Sequence, residues 1–359
     1  MVARMGNHSY PTLQLSQRIG RQWSNIEATR ALSNQKLTEL EEALLNLDSE
    51  DTSIVVLGSL GRREFTSDSD IDWNLLVDGI ADPNHHASFL DIQKTVRRLA
   101  VKPPGREGTF GTFVSSHDLI HRIGGDEDTN VNLTRRLLLL LESTPVGRPT
   151  AHERVIKNIL KRYLFEDRSF WRGSGQGHHI PHFLLNDFAR LWRTLAVDFA
   201  YKLRARSGEG WAIRNIKLRM SRKLLYVAGL LGCFFIQFGF EPDDRRAVLG
   251  DEFFRPQILE IVHGVFSKTP LDMVANFLLS RQRLDGTASR LFEAYDQFLG
   301  ILLNSDLRNH LEKLSEGDGN DDSVYQEARK MSHRFRDALL DLFFDTKELA
   351  PLTRLYGIF

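Results

Sequence analysis

The chain has 359 residues, and its 47 lysines and arginines balance its 47 aspartates and glutamates, so no overall field draws it to nucleic acid or to an anionic membrane. Any such preference must come from a local patch. A single cysteine, Cys233, excludes an internal disulfide and is typical of a reducing compartment, and the N-terminal residues lack the apolar core of a signal peptide, so we expect a cytoplasmic protein.

The first third of the chain carries a mixed pattern of helix and strand signals. Leucines at helical spacing predict the first helix, and short runs rich in β-branched residues predict the strands. In chain order the predicted elements are a helix over 34–47, strands over 53–57 and 71–77, a helix over 85–100 and a strand over 109–116. This order predicts a small mixed sheet with helices packed on it.

The rest of the chain is predicted to be helical, because the strand signals stop at Asn130. Its most apolar segment, 224–240, has 17 residues and contains Gln237, which is marginal for crossing a bilayer and favours a buried core helix without a membrane partner. The sequence therefore predicts an α+β fold with a helical lead-in over 1–48, an α/β head over 49–146 and an all-α body over 147–359.

Three aspartates, Asp68, Asp70 and Asp72, occupy alternate positions at the start of the second predicted strand. Residues two apart in a strand point to the same face, so the carboxylates of Asp70 and Asp72 are expected side by side. At a separation of about 4 Å they would repel by about 4 kcal/mol at an effective dielectric of about 20. A divalent cation turns this repulsion into attraction, and carboxylate oxygens are the ligands that Mg²⁺ prefers. The spacing therefore predicts a site for Mg²⁺ or Mn²⁺.

A glycine turn precedes the aspartates. Gly58 and Ser59 directly follow the first predicted strand, where a tight turn exposes backbone N–H groups and a hydroxyl to an anion. Arg62 and Arg63 come just after the turn and can donate to phosphate oxygens. One short segment thus offers phosphate donors and, twelve residues on, a pair of metal ligands.

These residues resemble the signature of the DNA polymerase β-like nucleotidyltransferase superfamily, Gly58-Ser59 followed after ten residues by Asp70-x-Asp72. The sequence Gly-Ser-Leu-Gly-Arg-Arg-Glu over 58–64, with Ser-Asp-Ile-Asp over 69–72, is similar to the motif of the PII-uridylyltransferase branch. That branch reads Gly-Gly-x-Gly-Arg-x-Glu and then Ser-Asp-x-Asp. The resemblance implies that Asp70 and Asp72 are catalytic metal ligands, that Ser59 meets the triphosphate of an NTP, and that Asp68 lies outside the pair.

The same resemblance implies a Mg²⁺-dependent enzyme that moves an NMP from an NTP to a hydroxyl acceptor and releases pyrophosphate, with the helical body closing the nucleotide cleft. The superfamily usually adds a third carboxylate from a later strand, yet the predicted strand over 109–116 contains none. Glu107 precedes that strand, Asp118 follows it, and Asp126 and Asp128 lie in the next loop. We expect Asp118, one of the two loop acids, or no third acid at all.

The segment 202–223 is strongly basic, with eight lysines or arginines against one acid, Glu209. Related nucleotidyltransferases use a lysine and a serine on a helix of the second domain to hold the β- and γ-phosphates, and by similarity Lys217 and Ser221 are the candidates. A solvated basic helix face and an RNA-binding patch remain alternatives, although only Trp211 offers an aromatic ring for stacking nearby.

Two other functions remain open. A chain without the third carboxylate could bind a nucleotide as a regulator without catalysis, and the basic segment could belong to a nucleic-acid-binding or toxin-type module. The acceptor, whether a protein, a small molecule or RNA, and the preferred NTP are not encoded in the motif.

Overall fold

The computed structural model describes residues 9–100, 109–173, 177–205, 208–241, 244–245 and 249–357. Within them a four-stranded sheet consists of β1 (Thr52–Val56), β2 (Trp73–Val77), β3 (Thr112–Ser115) and β4 (Thr144–Val146). The strand order is β3-β2-β1-β4, with β1 antiparallel to both of its neighbours and β3 parallel to β2. With the helices that follow, this small mixed sheet confirms the α+β prediction.

Helices precede, interrupt and follow the sheet. Up to β4 they are α1 (Pro11–Ile19), α2 (Ser24–Ala43), α3 (Gly58–Gly61), α4 (Pro83–Leu99), α5 (Ser116–His121) and α6 (Asn130–Glu142). After β4 they are α7 (Thr150–Phe165), α8 (Arg168–Arg172), α9 (His182–Ala205), α10 (Trp211–Lys217), α11 (Lys223–Gly239), α12 (Arg255–Phe266), α13 (Pro270–Leu279), α14 (Asp285–Leu303), α15 (Ser305–Lys313), α16 (Ser323–Leu340) and α17 (Ala350–Leu352). Short 3₁₀ or π turns occupy Glu252–Phe254, Gln282–Leu284, Leu218–Arg222, Asp341–Asp345 and Thr353–Gly357.

The strand β4 contradicts the prediction that strands stop at Asn130. It pairs with the C-terminal end of β1, just before the glycine turn, with Val56 opposite Thr144 and Val55 opposite Pro145. A three-residue strand that contains proline has no period-2 signal, and proline is tolerated because β4 lies at the edge of the sheet. The first helix also differs from its prediction, since α2 begins at Ser24 and ends at Ala43.

Alternate residues of the central strands enter two different cores. Ile54 and Val56 of β1 face a small cluster that includes α4 and the second half of α2, whereas Val55 and Leu57 face the large helical core. Because successive strand residues point to opposite faces, this split follows directly from the apolar run of β1. The sheet is therefore covered on both faces, and the end of it that carries the glycine turn lies against the helical body.

The N-terminal helices also contact the body. The hydroxyl of Thr12 donates to Asp272 at 2.7 Å, and the ring of Trp23 stacks on Phe292 with centroids 4.5 Å apart. The lead-in thus packs against both the sheet and the body, and the domain boundaries at 48 and 146 stay a prediction.

One helical segment, Trp211–Gly239, is long and apolar enough by composition to cross a membrane. In the structure 61% of its most apolar window is buried among other helices, as expected for a core helix.

Gly61 generates a stability prediction. A Cβ at this position would overlap the carbonyl oxygen of Glu142, which is backbone and cannot rotate away. We expect Gly61→Ala to lower the free energy of unfolding by about 1–3 kcal/mol, the usual range for overpacking. Gly264→Ala, where a Cβ meets nothing within 4 Å, is the matched control and should be neutral or stabilising by up to about 1 kcal/mol. Urea unfolding measures both, and equal effects would contradict the prediction.

Candidate active site

The glycine turn after β1 comes into close contact with Asp72. Gly58 has φ +64°, and a Cβ there would lie 2.5 Å from Oδ2 of Asp72. The backbone N–H of Leu57 donates to the carbonyl of Asp72 at 2.8 Å, which extends the pairing of β1 and β2 to this point. Glycine is therefore required twice at this position, for its left-handed backbone and for the space that the carboxylate occupies.

Asp70 and Asp72 lie in the extended segment just before β2, which begins at Trp73. Both side chains are partly buried, and neither makes a hydrogen bond or ion pair with any residue that the structure describes. The pKa of the Asp72 carboxyl is raised to about 8, first by burial and then by the charges of Asp70 and Glu142. Two neighbouring carboxylates without a direct protein partner are suited to a divalent cation.

Glu142 belongs to this site and was missed from the sequence. It is the last residue of α6 and is buried, with Oε1 accepting from the N–H of Gly58 at 3.1 Å and Oε2 accepting from Arg62. Its place at the end of five successive leucines gives a helix signal and no chemical one. Glu142 holds the glycine turn in position.

Arg62 is buried between two carboxylates. Its Nε donates to Glu64 at 2.7 Å, its Nη1 donates to Glu142, and the hydroxyl of Tyr295 on α14 donates to Glu64 at 2.7 Å. A continuous buried chain of polar groups therefore runs from the helical body to Gly58. This geometry gives Arg62 a positioning role, and its contact with phosphate stays a prediction.

The two other residues predicted in the turn differ in environment. Arg63 has φ +65° and donates to the side chain of Asn34 at 3.2 Å. Ser59 is partly buried, its carbonyl accepts from the N–H of Glu64 at 2.7 Å, and its hydroxyl has no partner among the residues described. Of the two, Ser59 has the side chain available for a ligand.

Lys217 from the helical body lies in electrostatic range of Asp70. Its pKa is lowered to about 8, mainly by burial and then by Arg308 and Arg222, while Asp70 and Glu312 oppose the shift. Ser221, one turn further, is buried, and its hydroxyl donates to the carbonyl of Lys217 at 3.2 Å. In the structure Lys217 therefore lies within electrostatic range of Asp70, whereas the hydroxyl of Ser221 is bonded to the backbone of its own helical segment.

Arg222 is a second cation at the aspartates that sequence reasoning missed. Burial and Arg62 lower its pKa, whereas Glu142, Asp72 and Asp70 raise it, so its charge acts on the whole acidic cluster. A regular α-helix would place it about 140° around the axis from Lys217, at about 100° per residue. The π turn Leu218–Arg222 advances by only about 80° per residue and so brings Arg222 to within about 40° of Lys217.

None of the candidate third acids that the structure describes reaches this cleft. Asp118 follows the far end of β3, which runs parallel to β2, and it pairs with Arg122 at 3.3 Å. Asp128 is buried in ion pairs with Arg136 and Arg190. Asp126 is exposed in the same loop, and Glu107 lies outside the described residues.

The strand position beside Asp72 carries no acid either. Gly111 donates its N–H to the carbonyl of Trp73 at 2.6 Å, and Thr112 lies next in β3. Among the residues described, no group of three or more His, Cys, Asp or Glu side chains could hold a metal ion, so a metal bound by Asp70 and Asp72 stays a prediction.

The segment between the two halves of the motif is attached to the body. Nη1 of Arg308 donates to the hydroxyl of Thr66 at 2.9 Å, and the hydroxyl of Ser305 donates to Asp68 at 2.8 Å. Asp68 is thus engaged by α15, and its place outside the metal-binding pair stays a prediction.

Residues 15–100 match the model of a family described as "Putative nucleotidyltransferase DUF294". The head resembles a nucleotidyltransferase. The matched segment contains β1, the glycine turn, both aspartates and β2, and it supports a general nucleotidyltransferase function without supporting the PII-uridylyltransferase branch in particular. No curated protein and no solved structure matches the chain.

The raised pKa of Asp72 predicts a pH dependence of stability. A carboxyl whose folded pKa lies above its unfolded value binds more protons when folded, so ionising it between about pH 4 and 8 destabilises the fold. In EDTA, the unfolding free energy of the wild type should fall relative to that of Asp72→Asn as the pH rises through this window. The shift sets an upper limit of about 6 kcal/mol at 1.36 kcal/mol per pKa unit. Urea unfolding across the window measures the difference, and a gap that does not change with pH would refute the assignment.

Proposed function

We propose that the protein transfers an NMP from an NTP to a hydroxyl acceptor and releases pyrophosphate, with Mg²⁺ or Mn²⁺ held by Asp70 and Asp72. The observation that carries the proposal is the pair of carboxylates that make no hydrogen bond or ion pair with any described residue, next to the glycine turn and within electrostatic range of Lys217 and Arg222. The family match over residues 15–100 supports the same reaction class. The acceptor and the preferred NTP are left open, and a cytoplasmic location stays a prediction.

The divalent cation would supply charge neutralisation for the triphosphate and lower the pKa of the attacking hydroxyl. The chain's own residues bind and orient. The turn offers the hydroxyl of Ser59 to phosphate oxygens, since the N–H of Gly58 already donates to Glu142, and Lys217 offers a positive charge from the helical body. Ser221 can contribute only if its hydroxyl leaves the carbonyl of Lys217.

In the reaction, the acceptor oxygen bonds to the α-phosphorus, and the bond from that phosphorus to the bridging oxygen of pyrophosphate breaks. The hydroxyl proton is lost to solvent, because the described carboxylates beyond Asp70 and Asp72 are engaged or distant. Catalysis would then rest on positioning and charge compensation, which suits phosphoryl-type transfer.

One observation favours a second function, a regulator that binds nucleotide without transfer. The site end of β3 carries Gly111 and Thr112 where a third carboxylate is usual for the superfamily, and Glu142 uses both of its oxygens within the protein. A site of this kind could bind Mg²⁺ and an NTP and still lack the group that activates the acceptor.

Neutralising the aspartates tests the proposed reaction. We expect Asp70→Asn and Asp72→Asn each to lower the transfer of label from α-labelled NTP at least about 1,000-fold, because the loss of a metal site removes several kcal/mol of charge stabilisation. The assay contains Mg²⁺, each NTP in turn and cell extract as the acceptor source. Asp126→Asn, in an exposed loop, is the matched control and should leave transfer unchanged.

Full transfer by either aspartate variant would end the proposal. Tight binding of Mg²⁺ and NTP in calorimetry, together with no pyrophosphate release from any NTP, would favour the regulator instead.

Replacing Lys217 tests the contribution of the body. We expect Lys217→Met to weaken NTP binding about 10- to 100-fold, because one charge-assisted contact with phosphate contributes about 1.5–3 kcal/mol. Isothermal titration with Mg²⁺ and a non-hydrolysable NTP measures the change. Lys347→Met, on the surface, removes the same charge and should bind as the wild type does. Equal affinities of the two variants would place the triphosphate elsewhere.

A further inference from the structure

A strongly basic surface lies where the π turn Leu218–Arg222 contacts α16. It consists of Arg219 from the π turn, Lys223 from the start of α11, and Arg329, His333 and Arg336 from α16, and we call it the basic face. Residues three or four apart share one side of a helix, so each element turns its cations to the same side. The surface brings together five basic residues from segments more than 100 positions apart in the chain.

The four lysine and arginine cations of the basic face act on one another and on His333 more strongly than the nearby acid does, and the lowered pKa leaves the imidazole of His333 mainly neutral near pH 7. After burial, the charges of Arg219 and Arg336 lower the pKa of Lys223 further, and Arg336, Arg219 and Arg329 do the same to His333. Like charges so placed destabilise the free protein by mutual repulsion. An anionic partner would relieve this repulsion.

The protein itself compensates only part of this charge. Arg336 pairs with Asp337 at 2.7 Å, and Nε of Arg219 donates to Asn215 at 2.7 Å. The side chains of Lys223, Arg329 and His333 make no hydrogen bond or ion pair with a residue in the described part of the chain. Most of the positive charge is therefore available to a partner in solution.

The basic face is continuous with the candidate active site. Arg219 and Lys223 belong to the same seven residues as Lys217 and Arg222, whose charges act on Asp70. The two sets lie on different sides of one helical segment, one toward the cleft and the other toward α16. Along the axis the two sets lie within about one helical turn of each other, and a strand bound to the basic face would pass around the helix, which is about 10 Å wide, to enter the cleft.

We propose that the basic face binds the phosphate backbone of a nucleic-acid strand whose terminal hydroxyl is the acceptor in the cleft. Binding by the face stands on its own, whereas the role of the strand as acceptor rests on the proposed nucleotidyl transfer. A nucleic-acid strand suits an arginine-rich surface through its phosphates and also ends in the hydroxyl that the reaction needs.

The dimensions agree with such a strand. Arg329 and Arg336 are seven residues apart on α16, which is about 10 Å along the helix at 1.5 Å per residue. Successive phosphates of one strand advance by about 3.4 Å along a duplex axis, so the face spans about three of them. Such contacts recognise the backbone and carry no base sequence, so we expect binding that depends weakly on sequence and strongly on salt.

The test measures binding of a fluorescent single-stranded RNA of about 20 nucleotides to the full chain, without NTP or Mg²⁺, between about 50 and 300 mM salt. The double variant Arg329→Gln/Arg336→Gln should lower the salt slope by about 1.4 and the affinity at 0.1 M salt by about 20-fold, at about 0.7 per single-strand contact. The matched control is Arg97→Gln/Arg98→Gln, two exposed arginines on α4, with the same change of net charge and no expected loss.

Several outcomes would overturn the proposal. These are no salt-dependent RNA binding by the wild type, equal losses in the two double variants, or tighter binding of polyglutamate or of phosphatidylserine vesicles through the same arginines. Circular dichroism confirms that each variant is folded.

The transfer assay separates this inference from the proposed function. RNA binding that survives in Asp70→Asn, with no transfer by the wild type, counts against the proposed function alone. Transfer to another acceptor without RNA binding counts against the basic face alone.

Discussion

The geometry of the cleft depends on one buried chain of charged and polar groups. It begins at the N–H of Gly58, passes through Glu142, Arg62 and Glu64, and ends at the hydroxyl of Tyr295 in the helical body. Removing Arg62 would leave the buried carboxylates of Glu64 and Glu142 without their cation, which typically costs several kcal/mol. These buried hydrogen bonds and ion pairs therefore hold the glycine turn in place. At that place Gly58 lies so close to the carboxylate of Asp72 that a residue with a Cβ would not fit.

Charge is divided between the two parts of the molecule. The head supplies Asp70 and Asp72, whereas the body supplies Lys217 and Arg222, and the two sets meet across the cleft without direct ion pairs among the described residues. The aspartates repel each other and the cations repel each other, so each set is stabilised by the other, and the proposed metal and polyphosphate would add to this. The cations are placed to bind a triphosphate and the aspartates are placed to bind its metal, so the charges of the cleft already match those of the proposed ligand.

Much of the head could be predicted from the sequence, because the glycine turn and the Asp70-x-Asp72 pair are local patterns with a direct chemical meaning. The signals for β1, β2 and α4 also lie within the sequence of each element, as runs of apolar residues or as helical spacing. Glu142 could not be found, since its meaning comes from a contact with Gly58, 84 residues away. Arg222 was missed because a regular helix places it away from Lys217, and no sequence signal announces a π turn. The strand β4 was too short to show a period.

The attachment of the motif loop to the body has a consequence for how the protein unfolds. Glu64, Thr66 and Asp68 are bonded to Tyr295, Arg308 and Ser305, so the loop belongs to the body as much as to the sheet. If the sheet opened locally, Arg62 would lose Glu142 and Glu64 would lose Tyr295 while still buried. A partly unfolded molecule would therefore have a high free energy. The two parts should therefore lose structure together in one cooperative transition, and the cleft exists only as long as both are folded.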